Sequence, residues 1–140
     1  TVFVRANKTG LSKVAGAIAA NEYMSFTVTP NAGASLNLAS LTLKAGYTNS
    51  GGYTNKRLTQ SVLSSVGGFT PDAVIGSITT ADTSKNDNTF TSQDLTVDLS
   101  GEQFQGIQKA IEFRIYISDD TNQSNIVHRL DDIVLIGTAE

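Results

Sequence analysis

The sequence predicts an all-β domain, a sandwich or a barrel, with one short helix near its N-terminus. The leading observation is the run IEFRIYI at residues 111–117, in which apolar and polar residues alternate. Its apolar members are Ile111, Phe113, Ile115 and Ile117, and its polar members are Glu112, Arg114 and Tyr116. Successive strand side chains point to opposite sheet faces, so a period of two indicates a half-buried strand. Eight or nine short runs of this kind, separated by turn residues, are spaced as in sandwiches and barrels.

The first third of the chain predicts two strands and the helix. Residues 2–5 form a first strand. Leu11, Val14 and Ile18 lie at helical spacing with Ser12 available as a cap, so residues 12–20 are predicted to be helical, although a strand-only interpretation of residues 11–21 stays open. Residues 22–29 (EYMSFTVT) alternate again, and Pro30 ends this strand because proline cannot donate to a ladder.

The middle of the chain predicts further strands and two loops. Leucines mark one or two strands over residues 35–46, and the skip from Leu38 to Leu41 changes the phase, which predicts a bulge near Ala39 and Ser40. Residues 47–55 are predicted to be a Gly/Asn loop that carries Tyr47 and Tyr53. Strands follow at residues 56–65 and 73–80, with a turn at residues 67–68 between them and a polar loop at residues 81–89 after them.

The last third predicts three more strands. Residues 90–99 place Leu95, Val97 and Leu99 on one face, and residues 100–107 form a single helical turn or an irregular crossover. Strands at residues 110–117 and 127–136 close the domain. Their apolar halves are predicted to lie in the core, and their polar halves suggest a binding surface.

Composition limits the class of protein. The 140 residues suit one domain, residues 1–140, whose core is large enough for the chain to fold without disulfide bonds or structural metal ions. The chain has no cysteine, and its net charge of −3 with no basic stripe argues against a nucleic-acid partner. No apolar stretch approaches the roughly 18 residues of a membrane span.

The surface composition suggests an exported protein. Only 16% of residues are charged, while Thr, Ser, Asn and Gly are abundant, a mixture typical of secreted β-sandwiches. The chain starts at Thr1 and opens directly on a strand. We therefore expect a monomeric module excised from a larger protein, with other domains of the same parent chain as neighbours.

Five runs resemble a known family: AIAANEYMSFTVTP, SLNLASLTLKAG, SVLSSVGGFTPD, FTSQDLTVDLSGEQFQGIQKAIEFRIYI and RLDDIVLIGT. From about Ala17 to Thr138 the chain resembles the jelly-roll domains of bacterial exported and surface proteins. These include exosortase-sorted surface proteins and modules attached to polysaccharide-degrading enzymes. The resemblance implies an antiparallel jelly-roll β-sandwich akin to non-catalytic carbohydrate-binding modules, secreted or at the cell surface. Its motifs are specific for the fold and weak for the ligand.

A polysaccharide site is predicted from the polar halves of three strands. If the strands at residues 56–65, 110–117 and 127–136 are neighbours, one face displays Arg57, Arg114, Tyr116 and His128, with Tyr47 or Tyr53 at the rim. Planar hydrogen-bonding groups and aromatic faces suit sugars, and arginine also suits anionic groups. The alternative is a set of solvated residues, with Arg114 paired to Glu112 or to an aspartate across the sheet, and tyrosines packed over a sheet edge.

Two other functions stay open. A structural or adhesive surface domain needs no glycan ligand. An enzyme is the lesser alternative, because His128 is the single histidine and no nucleophile-elbow pattern accompanies it. Tyr116, His128 and Arg114 could nevertheless imitate the Tyr/His/Arg set of jelly-roll polysaccharide lyases. We expect a non-catalytic module.

One structural calcium ion is a further expectation from the resemblance, since jelly-roll binding modules often hold calcium near their first and last strands. Glu22 and Asp131 or Asp132 match that placement, and Asp132 is the best single ligand. Residues 82–88 offer further oxygen donors in a loop, although such sequences are usually plain turns.

Overall fold

The computed structural model describes residues 2–5, 13–49, 58–80, 91–119 and 126–140. These residues form one α-helix, eight strands and two short 3-10 turns. The helix is α1 (Val14–Ala20), and the turns span Pro71–Ala73 and Glu102–Phe104. The strands are β1 (Val2–Arg5), β2 (Tyr23–Val28), β3 (Leu36–Asn49), β4 (Leu58–Ser64), β5 (Gly76–Thr80), β6 (Thr91–Asp98), β7 (Ile111–Asp119) and β8 (Ile126–Ala139).

The strands make two four-stranded sheets. The first sheet has the order β1-β8-β3-β6, and the second has the order β2-β7-β4-β5. Every pairing is antiparallel. Consecutive strands mostly alternate between the sheets in two interlocked Greek keys, which is the jelly-roll connectivity. The predicted all-β jelly-roll sandwich with a short helix is confirmed.

The core lies between the sheets and is built by the predicted alternation. Phe113 and Ile115 of β7 are fully buried, as are Leu41 of β3 and Leu130 of β8. Phe26 of β2 stacks on Phe113 with ring centroids 5.2 Å apart. The apolar halves of the last two predicted strands are therefore core residues, as expected.

Two irregularities adjust the pairing of β3 with β8. The register shifts between Leu38 and Ser40, which confirms the bulge predicted near Ala39. A second shift lies opposite Leu43, where β8 carries two residues between Asp131 and Val134, and Asp132 adopts the left-handed φ of 48°. An extra residue shifts the alternation of side chains along its strand by one position. Leu130 and Ile133 therefore both face the core although they are three positions apart.

Some predicted boundaries move. Tyr47, Thr48 and Asn49 pair with His128, Val127 and Ile126, so this part of the predicted loop is strand. β5 begins at Gly76 because the 3-10 turn Pro71–Ala73 occupies the preceding residues. α1 begins at Val14 and ends at Ala20, and the left-handed φ of 55° at the following Asn21 terminates it. Residues 50–55 and 81–89 lie outside the described residues.

Four connections leave the sandwich at one end. In the first sheet this end holds the pairs Arg5–Val127 and Asn49–Ile126. In the second sheet it holds Leu58, paired to both Thr80 and Asp119. The connections at residues 6–12, 50–57, 81–90 and 120–125 begin at this end, which we call the loop end. The described part of the chain holds no helix with the length and apolar character needed to cross a membrane.

Candidate functional site

The outer face of the second sheet carries a second, smaller core. Ala17 of α1, Leu63 of β4 and Tyr116 of β7 are buried together there. Partly buried apolar and aromatic residues surround them: Val14, Ile18, Tyr23, Phe69, Ala73 and Val74. The helix and the segment around the first 3-10 turn thus cover this face. The predicted open binding surface is wrong for this part of the sheet.

Tyr116 shows the correction most clearly. It points to the outer face of the sheet, as predicted, yet it is only 1% exposed. Its ring lies against the ring of Tyr23, with centroids 5.1 Å apart and planes inclined by 55°. The ring is therefore packed beneath α1 and is not available to a ligand in this arrangement.

Arg114 is held by four groups on the same face. Its Nε donates to Glu112 Oε1 at 2.8 Å, and its Nη1 donates to the Tyr116 hydroxyl at 3.3 Å. The guanidinium carbon lies 3.8 Å from the Phe69 ring centroid and 4.4 Å from that of Tyr23. The hydrogen bond to Glu112, and then that to Tyr116, raises the pKa of Arg114.

These contacts correspond to the alternative in which Arg114 pairs with Glu112. The Arg114 side chain keeps 22% of its surface exposed. Its stacked and hydrogen-bonded state already explains why an arginine stands at this position. A ligand-binding role for Arg114 stays a prediction.

His128 lies in the other sheet. The expectation that residues 56–65, 110–117 and 127–136 are neighbours holds for β4 and β7, which pair, but β8 belongs to the first sheet. The lyase-like set is therefore divided, because Tyr116 and Arg114 face away from the first sheet and His128 is part of it. Arg57 lies outside the described residues.

The loop end brings other predicted ligand residues together. His128 of β8 is the cross-strand partner of Tyr47 of β3, and Val4 of β1 flanks it on the other side. Tyr53 and Arg57, outside the described residues, belong to the connection that leaves β3 after Asn49 and enters β4 at Leu58. Gln60 Nε2 donates to the Arg129 carbonyl at 3.3 Å, which ties the two sheets near this end.

Among the described residues no further layer covers the outer face of the first sheet, which was not predicted as a site. A shallow pocket of about 290 Å³ lies there, lined by Thr42, Leu43, Lys44, Asp94, Thr96, Asp132 and Val134. Lys44 Nζ donates to the Asp132 carboxylate, and this bond raises the pKa of Lys44. Thr42 and Lys44 alternate with buried leucines in β3, as Asp94 and Thr96 alternate with buried apolar residues in β6, and this pattern is the sequence signal for this face. No aromatic side chain lines the pocket among the described residues.

The residues predicted for calcium lie on strands, or next to strands, of both sheets. Glu22 precedes β2 in the second sheet, whereas Asp131 and Asp132 lie on β8 in the first sheet. The described ranges contain no group of three or more His, Asp or Glu side chains that could hold a metal ion. The Asp132 carboxylate is bound by Lys44, and its backbone N–H donates to Asp131 Oδ1 at 3.0 Å. The three predicted residues therefore do not form such a group by themselves, and calcium binding stays a prediction.

Comparison with known proteins gives similarity to solved structures alone. No protein-family model matches the chain, and no curated protein matches it. The C-terminal domain of EclA, a sugar-binding protein, has a TM-score of 0.48 and 11% identity over 96% of this chain and 76% of its own. A cleaved adhesin domain of Lys-gingipain from Porphyromonas gingivalis has a TM-score of 0.41 and 13% identity over 81% of this chain and 62% of its own.

A Stig cyclase, Fisc from Fischerella sp. TAU, is also similar, with a TM-score of 0.43 and 15% identity over 83% of this chain. The chain spans 55% of that cyclase's length. These structures include a sugar-binding domain, an adhesin domain and an enzyme, and likeness at this level carries no argument about function.

Proposed function

We propose that this domain is a non-catalytic carbohydrate-binding module that recognises a polysaccharide at the loop end of its sandwich. The observation that carries the proposal is the cross-strand pairing of Tyr47 with His128 at the end where four connections leave the sheets. Binding residues are often carried by loops that a rigid scaffold positions. Tyr53 and Arg57, in one of these connections, complete the proposed site.

The residue types at this end suit sugars. The connections have the sequences ANKTGLS, SGGYTNKR, ADTSKNDNTF and DTNQSN, which are rich in amide, hydroxyl and carboxylate groups. Such groups exchange hydrogen bonds with sugar hydroxyls, and tyrosine offers a ring face to the C–H side of a sugar. Arg57 adds a planar cation for carboxylate or sulfate groups, so an anionic polysaccharide is the preferred ligand class.

Both sheet faces are weaker candidates. The outer face of the second sheet is occupied by α1 and by the residues around Phe69. The outer face of the first sheet offers Lys44, Asp94 and Asp132, but no aromatic platform among its described residues. The inner faces form the core. The loop end is the part of the sandwich whose sequence combines tyrosines with polar residues, and an exported or surface-attached parent protein is part of the same proposal.

The test is affinity electrophoresis of the whole chain against a panel of neutral and anionic polysaccharides. His128→Ala and Tyr53→Ala are each expected to weaken binding by about tenfold, equivalent to about 1.4 kcal/mol. Asp98→Asn is the matched control, because Asp98 ends β6 at the opposite end of the sandwich. It should bind like the parent protein.

Three results would overturn the proposal. Binding to no polysaccharide in the panel would favour the structural or adhesive alternative. Unchanged binding by His128→Ala and Tyr53→Ala, with a loss in a variant of another surface, would move the site away from the loop end. Polysaccharide cleavage by the isolated chain would show instead that the module is catalytic.

A further inference from the structure

Gln60 of β4 is a buried amide in an otherwise apolar part of the core. It is 1% exposed, and it lies on the inner face of the second sheet, because it alternates along the strand with the core residues Leu58 and Val62. Its cross-strand neighbours on that face are Ile117 of β7 and Ile78 of β5. The side chains that flank Gln60 along and across the strands are therefore all apolar.

The Gln60 amide spans the space between the two sheets. Its Nε2 donates to the Arg129 carbonyl of β8 at 3.3 Å, and β4 and β8 belong to different sheets. A carbonyl oxygen can only accept a hydrogen bond, so the NH2 side of the amide must be the side that faces Arg129. Gln60 Oε1 therefore points elsewhere, and it is buried with no hydrogen-bond partner among the described residues.

This arrangement does not favour stability. A buried acceptor without a partner has given up its hydrogen bonds to water and gains none in exchange. Thr80, another buried polar residue, shows the usual solution, because its Oγ1 donates to the Leu58 carbonyl at 3.1 Å. A methionine in place of Gln60 would fill a similar volume without a polar atom to satisfy. The stability of the core therefore does not explain the glutamine.

The hydrogen bond lies next to the proposed polysaccharide site at the loop end. Arg129, whose carbonyl accepts the bond, directly follows His128 in β8. Gln60 lies near the start of β4, where the connection that carries Tyr53 and Arg57 enters the second sheet. The bond thus joins the strand that carries one part of the proposed site to the strand that receives the other part.

We propose that Gln60 is a positioning residue for the loop-end site, which it serves by holding β4 at a fixed place relative to β8. This inference rests on the proposed polysaccharide-binding function. Apolar contacts between two sheets are non-directional, whereas a hydrogen bond has a defined length and direction. Gln60 thereby fixes the distance between His128 on one sheet and the connection with Tyr53 and Arg57 on the other, at a cost in stability of the kind that functional sites often carry.

The first experiment separates binding from stability in Gln60→Met, which removes both the donor and the unpaired acceptor. The Arg129 carbonyl remains within the sheet, since Arg129 pairs with Phe3 on one side and with Gly46 on the other. Urea denaturation should give a free energy of unfolding equal to or above that of the parent protein. Affinity electrophoresis against the polysaccharide that the parent binds should show binding weakened by about threefold to tenfold, the range that one hydrogen bond contributes.

Thr59→Val is the matched control on the same strand. Thr59 lies on the opposite face of the sheet from Gln60, and its Oγ1 shares a hydrogen bond of 2.8 Å with that of Thr79 in β5. This bond joins two strands of one sheet, so its loss should leave polysaccharide binding unchanged. In NMR spectra, the amide shifts of His128 and Arg129 should change in Gln60→Met and not in Thr59→Val. Gln60→Leu replaces Gln60→Met if the latter does not fold.

Three results contradict the positioning role. Binding by Gln60→Met equal to that of the parent would leave Gln60 as a packing residue. Weaker binding together with a lower free energy of unfolding would be explained by a structural role alone. Equally weak binding by Thr59→Val would show that the effect does not depend on the bond between the sheets.

His128→Ala distinguishes this inference from the proposed function. Weaker binding by His128→Ala with unchanged binding by Gln60→Met would keep the loop-end site and reject the role of Gln60. Unchanged binding by His128→Ala and by Tyr53→Ala would reject the site, and the positioning role with it. Weaker binding by His128→Ala and by Gln60→Met, with the stability of Gln60→Met retained, is the result that both proposals require.

Discussion

The two outer faces of the sandwich are both built from alternating strands, but one is covered and the other is exposed to solvent. On the second sheet, Tyr116 is buried beneath α1 and Arg114 is stacked between aromatic rings. On the first sheet, Val134 and Ile136 are 47% and 52% exposed, and Lys44 and Asp132 form an ion pair at the surface. The polar side of a strand is therefore accessible to a ligand only where no further layer packs over it.

A few apolar residues explain the difference. Leu63 interrupts the polar side of β4, and Tyr116 lies opposite Ser61 on the adjacent strand. The apolar side of α1 and the Phe69–Val74 region supply the cover, since each must bury apolar surface against something. On the first sheet the corresponding positions of β3 and β6 are Thr42, Lys44 and Asp94, which are stable in water without a cover.

The largest expected effect is the loss of the buried ring in Tyr116→Ala. Removing a fully buried aromatic side chain leaves a cavity beneath α1 and costs about 3–5 kcal/mol in the free energy of unfolding. Urea denaturation measures the change. Val134→Ala, on the open face, is the control and should cost less than about 1 kcal/mol. Similar losses for both variants would show that the two faces do not differ as described.

Arg114→Lys comes next in size. Lysine keeps the charge but loses the two-pronged contact with Glu112 and the flat stacking on Phe69 and Tyr23. We expect a loss of about 1–2 kcal/mol, smaller than for a fully buried group because part of the side chain is exposed. Chemical denaturation tests this. A variant as stable as the parent but weaker in polysaccharide binding would instead support the predicted ligand-binding role of Arg114.

Lys44→Met should have a small effect that depends on pH. The bond to Asp132 raises the pKa of Lys44, so its contribution to stability is present below the ordinary lysine pKa. That contribution is lost as pH rises through the folded-state pKa. Melting temperatures of parent and variant, a few degrees apart at most at neutral pH, should therefore converge in strongly alkaline solution. A gap that widens with rising pH would contradict this assignment.

The smallest effect concerns Asp98 at the end of β6. The Ser100 backbone N–H donates to Asp98 Oδ1 at 2.8 Å and lowers the carboxyl pKa below its usual 3.8. The stability gained is lost as pH falls through the lowered pKa. NMR titration should give a low Asp98 pKa in the parent and, because the backbone donor remains, in Ser100→Ala as well. An Asp98 pKa of 3.8 in that variant would show that the Ser100 hydroxyl, and not the backbone N–H, lowers the pKa in the parent.

Local patterns predicted much of the fold correctly. The alternation around Phe113, the stop at Pro30 and the phase change between Leu38 and Leu41 each depend on neighbouring residues alone, and each appears in the structure where expected. The second bulge was harder to predict. The spacing from Leu130 to Ile133 signals an extra residue, but Asp131 and Asp132 are both polar, so the pattern does not say which of them adopts the left-handed backbone.

The candidate site depended on information that no local pattern holds. Whether the strands carrying Arg114 and His128 share a sheet is a matter of strand order, and the jelly-roll order places them in different sheets. The pairing of Tyr47 with His128 joins residues from the middle and the end of the chain, so it required the register of β3 with β8.

The sequence by itself determined which side of each strand is apolar, because side-chain alternation is a local property of the backbone. Only the tertiary structure decided which polar sides meet water. α1 lies far along the chain from β7 and yet packs over Tyr116. Burial depends on every layer that packs against a residue. That packing is set by long-range contacts, which cannot be deduced from the sequence of either segment alone.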